Sequence, residues 1–300
     1  MKAKFPRYEC VVVGGGPGGL LSTLYLRRYK RRVLLVQTGE PRALWIPRIR
    51  NLVGYTEGLT GPELLRRLER QALRLRPDFL EGEAKVERCG KRFLIKVGEA
   101  MFEADKVILA TGMEDVQPPF PNFATLRAKA LLAYCPICDG FDHSENRVGL
   151  LVKDNNGLDK LRFIAKFSPD LHVLPTEKFR VSAKHRRQME KLGVRFYGYP
   201  IKAVDACGNK ELRVRFRGRK PLRLNLAYVE LGATVRDAAF RDLRKLRRTK
   251  EGFLMVSPHQ ETSVPGLFAV GDCVNALAQV SVAAGQAAIA ATRVHNDLPF

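Results

Sequence analysis

Two cysteines stand two residues apart in the stretch Tyr134-Cys135-Pro136-Ile137-Cys138-Asp139-Gly140. That spacing lets the pair close a small disulfide. Such pairs usually hold one thiol with a lowered pKa, because the thiolate is the reactive form. Asp139 follows at once and is a candidate to carry protons to and from that thiol. Cys135, Cys138 and Asp139 are therefore the candidate catalytic residues. Half a zinc site is the competing use of a CxxC. The other four cysteines, Cys10, Cys89, Cys207 and Cys273, are isolated and offer no second pair, so redox chemistry without a metal is expected.

A redox pair needs a source of electrons, and the start of the chain carries a nucleotide motif. Tyr8 to Val13 reads as a buried parallel strand. It runs into Gly14-Gly15-Gly16-Pro17-Gly18-Gly19, and Leu20 to Arg28 follows with a helical pattern. This is G-x-G-x-x-G in the strand–turn–helix context that the motif requires. Gly14 permits the tight turn, Gly16 lets the backbone approach a pyrophosphate, and Gly19 lets helix and strand pack closely. Pro17 and Gly18 complete a loop whose phosphates would sit at the positive end of the helix. A second strand, Arg32 to Val36, ends at Gln37, where an acid normally binds the ribose hydroxyls. Glutamine can hydrogen-bond a hydroxyl, but without the charge.

The whole chain sets the frame for these motifs. Three hundred residues suggest two domains, and 45% apolar content is ample for packed cores. Six cysteines in this length do not make a disulfide framework. Met1 to Pro6 carries charge but no apolar run, so no signal peptide is read and a cytoplasmic protein is expected. The apolar stretch Leu267 to Ala291 is interrupted by Gly271, Asp272, Asn275, Gln279 and Gln286, which argues against a membrane span. The net charge is +21. It fits a generally basic surface, an acidic partner steered in by the field, or nucleic acid. The basic residues are spread along the chain with no nucleic-acid motif among them, so no nucleic acid is expected. The densest run noted, Arg241, Arg244, Lys245, Arg247 and Arg248, has the spacing of one solvated helix face or a docking patch.

Four further segments carry a resemblance. They are Arg42 to Gly61, containing Asn51-Leu52-Val53-Gly54-Tyr55; Ala110-Thr111-Gly112; Ala133 to Phe141; and Thr262-Ser263-Val264-Pro265-Gly266-Leu267-Phe268-Ala269-Val270-Gly271-Asp272. Together with the first glycine motif they resemble the low-molecular-weight thioredoxin reductases over nearly the whole chain. The resemblance implies FAD. Asn51 would face the isoalloxazine and Trp45 the ribityl and pyrophosphate, although a core role for Trp45 stays open. Val86, Ala110, Thr111 and Gly112 would add contacts. Gly271 and Asp272 would hold the ribityl chain. Gln279 and Val280 would open a last helix facing the flavin, packed through Ala283, Ala284, Gly285 and Ala287. Phe300 is a further candidate to cover a flavin. By the same resemblance Cys138 lies beside the flavin, Cys135 attacks the substrate, Asp139 is the acid–base, and the protein is a homodimer.

The fold class expected is α/β with two Rossmann-like three-layer domains. An FAD-binding domain, residues 1–116 and 249–300, is interrupted by a smaller central nucleotide-binding-like domain, residues 117–248, which carries the CxxC. The boundary is read at Gln117-Pro118-Pro119-Phe120-Pro121, a stiff linker. In the family the central domain binds NADPH through a second G-x-G-x-x-G. Here Arg147 to Val152 is a credible strand, but Lys153-Asp154-Asn155-Asn156-Gly157 follows, with one glycine and an acid. Where relatives carry arginines for the 2′-phosphate, this chain has Pro175-Thr176-Glu177 and only Arg180. The letters His185-Arg186-Arg187 fall too late, on the expected helix Ser182 to Leu192, and read as a solvated face. NADPH is thus not expected as donor.

That pattern resembles the branches that do not use pyridine nucleotides, the ferredoxin-dependent flavin thioredoxin reductases and the diflavin-linked disulfide oxidoreductases. The expectation is a flavoprotein that reduces thioredoxin or a similar protein disulfide, with acidic ferredoxin or flavodoxin as donor. An enzyme using NAD(P)H, one carrying a second FAD, and a non-catalytic flavin–dithiol sensor stay open as alternatives.

Overall fold

The computed structural model describes residues 5–299. Phe300 lies outside the described residues. The chain divides into two compact units, residues 1–46, 59–114 and 234–300, and residues 47–58 and 115–233.

The first unit opens with strand β1 (Arg7–Val13), helix α1 (Pro17–Arg28) and strand β2 (Val33–Gln37). The runs Val11-Val12-Val13 and Val33-Leu34-Leu35-Val36 are buried throughout, as interior strands of a sheet covered on both faces must be. Helix α2 (Gly61–Leu73) starts on Thr60, whose hydroxyl accepts from the Glu63 N–H. Strands β3 (Asp78–Glu81), β4 (Ala84–Cys89), β5 (Arg92–Val97) and β6 (Ala100–Leu109) follow. The sheet order is β3-β2-β1-β6-β5-β4. The long strand β6 pairs with β5 through residues 100–104, leaving Val107–Leu109 for a later strand.

Strand β7 (Met113–Asp115) leads out of this unit. The second unit then builds helix α3 (Phe123–Ala128), strand β8 (Leu132–Ala133) and the one-turn helix α4 (Pro136–Asp139). Next come β9 (Arg147–Val152), the single turn α5 (Leu161–Ile164), β10 (Asp170–Pro175), α6 (Ala183–Lys191) and β11 (Arg195–Phe196). The hairpin β12 (Ile201–Cys207) and β13 (Glu211–Phe216) turns at Gly208, which takes φ +66°; β14 (Leu222–Leu224) and β15 (Leu226–Glu230) follow. A five-stranded parallel sheet runs β11-β10-β9-β15-β8, and β12-β13-β14 form a separate antiparallel sheet. Strand β16 (Ala233–Val235) pairs with β7, so the two chain crossings run as a ribbon. Strand β17 (Leu267–Ala269) takes the remaining edge of β6, and helix α7 (Val280–Asp297) completes the first unit.

Three expectations need correction. The return to the first unit comes at residue 234 rather than 249, because Phe240 and Leu243 are buried in the first unit's core with Phe93, Ile95 and Leu254. Residues 47–58, counted with the flavin domain, group with the second unit. The basic run 241–248 forms turns rather than a helix. Lys245 adopts φ +66°, which ends any helical path, while Leu243 turns inward. Arg241 and Arg248 both bind Asp237 at 2.9 Å, and Arg248 lies over the Phe240 ring. In α7, Ala283 and Ala287 are buried, whereas Gly285 faces solvent.

Candidate functional site

In the first unit the glycine loop has the shape its sequence requires. Gly14 takes φ +120°, and a Cβ there would fall 2.2 Å from the Ala110 carbonyl oxygen. A Cβ on Gly19 would lie 1.8 Å from the Gly14 oxygen, so α1 sits directly on the turn. Gly18 packs against Val270. Gly16 is different: the nearest atom to an added Cβ is Pro41 Cβ at 3.7 Å, so this flank of the loop is open. Pro17 occupies the first turn of α1, where its missing N–H costs nothing. Gln37 folds its amide onto the backbone at Gly15, where a Cβ would fall 1.4 Å from Oε1.

Other expected residues gather on the same unit. Ala110 is the close neighbour of Gly14. Thr111 Oγ1 is buried beside the Cys273 thiol and has no well-formed hydrogen bond among the described residues. Gly112 takes φ +71° and Gly271 φ +74°. Burial pushes the Cys273 thiol up to about 11, which disfavours the thiolate. Asp272 is the middle residue of a short 3-10 turn, and Arg42 reaches its carboxylate at 3.3 Å. Gln279 precedes α7 and Val280 is its first residue. Among the described residues no side chain caps the first turn of α1 or α7, which leaves those amides for a ligand or water. Trp45 is 51% exposed, so the core reading fails. An open glycine flank, an unsatisfied buried hydroxyl and uncapped helix starts fit a dinucleotide such as FAD.

Two assignments lie elsewhere. Val86 is buried in the core of β4, and its N–H is taken by the Ala239 carbonyl at 2.8 Å, so neither group is available to a flavin. Asn51 sits on the segment grouped with the second unit, beside Arg50, whose guanidinium binds Asp142 at 2.6 Å.

In the second unit Cys135 and Cys138 are joined as a disulfide. Cys135 is the residue before α4, and both cysteines are half-buried. Gly140 lets the Phe167 ring close over the turn, since a Cβ would fall 2.8 Å from it. Phe141 is 83% exposed. The Tyr134 ring lies under Arg127, and its hydroxyl donates to Gln117. Asp139 Oδ1 accepts a 2.7 Å hydrogen bond from the Tyr228 hydroxyl, at the fully buried centre of β15. Burial raises the Asp139 carboxyl above its ordinary value; Tyr228 and His143 pull it down, and Asp142 adds to the rise. Burial, then the Asp139 charge, raise the Tyr228 phenol far above its ordinary value, so it acts as a donor.

The loop after β9 is filled from within. Asp154 Oδ1 accepts the N–H of Asn156 at 2.9 Å and of Gly157 at 3.3 Å. Asn155 spans to the Arg180 carbonyl and the Ser182 N–H. A Cβ on Gly157 would meet the Glu230 carbonyl oxygen at 2.5 Å. A 3-10 turn and the single turn of α5 follow, in place of a long helix. Glu177 is exposed just beyond β10. On α6, Lys184, Arg186 and Arg187 are exposed as expected of a solvated face, but His185 is buried and bonds Asp159 at 3.1 Å.

Sequence reasoning missed Arg42, Gln286 and Tyr228. Gln286 is buried in α7 and accepts the Gly271 N–H at 2.7 Å, fixing the turn that carries Asp272. Its signal was a lone amide in a helix of small residues. Among the described residues no group of three or more His, Cys, Asp or Glu is gathered to hold a metal, and no helix is long and apolar enough to cross a membrane.

Comparison with known proteins agrees with this geometry. The family described as pyridine nucleotide-disulphide oxidoreductase matches residues 8–152 and 170–287. The thioredoxin reductase of Aquifex aeolicus is 25% identical over 303 residues, spanning 97% of this chain and 93% of its own length. That of Mycoplasma pneumoniae is 25% identical over 279 residues, spanning 89% of this chain and 87% of its own. The crystal structure of thioredoxin reductase from Streptococcus pyogenes shares the fold with a TM-score of 0.88 at 22% identity, covering 98% of each chain.

Proposed function

The chain belongs to the pyridine nucleotide-disulphide oxidoreductase family and is a thioredoxin-reductase-like flavoprotein disulfide oxidoreductase; from that premise we propose that it reduces thioredoxin or a similar protein disulfide with electrons from an acidic one-electron carrier, ferredoxin or flavodoxin, rather than from NADPH. The observation that carries the donor assignment is Asp154, whose carboxylate already takes the loop N–H groups that a pyrophosphate would need. The single-turn α5 offers little helix dipole, Glu177 would repel a 2′-phosphate, and a net charge of +21 favours encounter with an acidic protein.

FAD, when bound, accepts electrons singly and passes them on as a pair. Gly14, Gly16, Gly19, Gln37, Thr111 and Asp272 are the residues that would hold it, with the first-turn amides of α1 and α7 supplying positive potential. Trp45 and Arg42 are assigned to its rim. Once the pair is reduced, the Cys135 thiolate attacks a substrate disulfide. A Cys135–substrate S–S bond forms, the substrate S–S bond breaks, and the leaving sulfur takes a proton from Asp139. Cys138 then gives its proton to Asp139 and attacks the Cys135 sulfur. The Cys135–Cys138 bond re-forms, and the second substrate sulfur leaves with that proton. Two electrons and two protons have passed to the substrate.

The test is turnover of the FAD-loaded chain with reduced ferredoxin and oxidised thioredoxin. Cys135→Ser is expected to leave less than ~1% of the rate, since the attacking sulfur is gone. Wild-type turnover by that variant would refute the assignment, and absence of any turnover by the unmodified chain would point to a sensor.

A further inference from the structure

Resting on the reading of Asp139 as acid–base, we propose that Tyr228 is the positioning residue that holds the Asp139 carboxylate and sets the pH above which the dithiol loses its proton donor. The two side chains come from separate elements: Asp139 ends α4, and Tyr228 sits at the centre of β15, next to β9 and β8 in the parallel sheet. Tyr228 is 1% exposed, so its ring has one setting, and its hydroxyl spends its single proton on Asp139 Oδ1 at 2.7 Å. A phenylalanine would pack in the same place, since the surrounding residues Val148, Leu150, Leu158 and Leu161 are apolar. The hydroxyl is therefore needed by Asp139 rather than by the core.

A hydrogen bond to a carboxylate favours the charged form, so Tyr228 opposes the burial that keeps Asp139 protonated. The other charged groups facing Asp139 are His143, which favours its ionisation, and Asp142, which opposes it and is itself paired with Arg50. Without the Tyr228 hydroxyl, the carboxyl holds its proton to higher pH. Reduction of a disulfide whose leaving thiolate is basic needs both a Cys135 thiolate and a protonated Asp139, which gives a bell-shaped profile. Only the descending limb belongs to Asp139, so Tyr228→Phe moves that limb and leaves the ascending one.

The experiment uses the full FAD-loaded chain in a Cys89→Ser background, which removes the exposed thiol. The protein is reduced with dithiothreitol, desalted and mixed with 2-hydroxyethyl disulfide across the pH range. The thiols left are trapped with a maleimide and counted, so no electron donor enters the measurement. Tyr228→Phe is expected to shift the descending limb upward by about one pH unit, the size of effect a hydrogen bond to a charged group exerts. Asp139→Asn is expected to abolish that limb. A limb that Asp139→Asn removes but Tyr228→Phe leaves in place overturns the role of Tyr228 alone. A limb that survives in Asp139→Asn overturns the acid–base reading with it. Should Tyr228→Phe fold poorly, the Asp139 carboxyl of the oxidised protein is titrated by carbon-13 NMR in a Tyr228→3-fluorotyrosine chain. The more acidic phenol is a stronger donor, so the midpoint must fall; an unchanged or raised midpoint refutes the proposal.

Discussion

Two loops of this chain stand at equivalent places, each following a parallel strand whose last four residues are buried, and they are built in opposite ways. After β1, Gly14 to Gly19 bring the backbone within contact of Ala110 and open onto the uncapped first turn of a twelve-residue helix. After β9, Asp154 turns back onto the N–H groups of Asn156 and Gly157, and the following helix is one turn long. Both strands are equally well buried, so the difference is not one of stability. A nucleotide loop needs small residues because the ligand must meet bare backbone amides; one carboxylate in the loop supplies the anion internally. The parallel sheet of the second unit keeps its strand pairing with that carboxylate in its loop.

Substitutions can break this comparison. The largest effect is expected at Gly19. In Gly19→Val the side chain meets the Gly14 carbonyl, so α1 must move; expression as an aggregated or flavin-free protein, read by absorbance, is the expected outcome. Gly16→Ala should be sharper in meaning. Its Cβ meets nothing closer than 3.7 Å, so the thermal midpoint of the flavin-free protein should be unchanged while FAD affinity falls at least ~10-fold by fluorescence titration. In the other loop, Asp154→Ala should cost about 1 kcal/mol in urea unfolding, as loss of a capping acceptor does, and should leave FAD content as it is. The smallest effect is a pH dependence within the second unit. Burial raises the Asp139 carboxyl in the folded state, so this group favours folding below the unfolded value near 3.8, and that contribution is lost as pH rises through the folded value. Asp139→Asn should therefore raise the thermal midpoint at pH 7 by scanning calorimetry, with the gain shrinking as pH falls through the folded value and gone below about 3.8.

Much of this was readable in the residues. The strand at Arg147 to Val152 and the helix that begins after Ser182 appear where periodicity puts them. Gly14 and Gly19 were readable because their roles are steric and local. Residues whose role depends on partners far along the chain were not. Tyr228 looks like one more apolar strand residue until its hydroxyl is seen to meet a carboxylate 89 positions earlier. Gln286 serves Gly271 from across the first unit, and Val86 lost its assignment because Ala239, 153 positions later, takes its amide. The basic run at 241–248 has helical spacing, but the burial of Phe240 and Leu243 overrides it. Charge spacing reports a helix only where nothing apolar in the segment is claimed by a core.

The contrast between the two loops is tested most directly by anaerobic titration of the FAD-loaded protein, following the flavin absorbance. The account predicts that NADPH leaves the oxidised spectrum standing over many turnover times while reduced ferredoxin bleaches it. Prompt bleaching by NADPH would contradict it, because the loop held by Asp154 would then be binding the pyrophosphate it was argued to exclude.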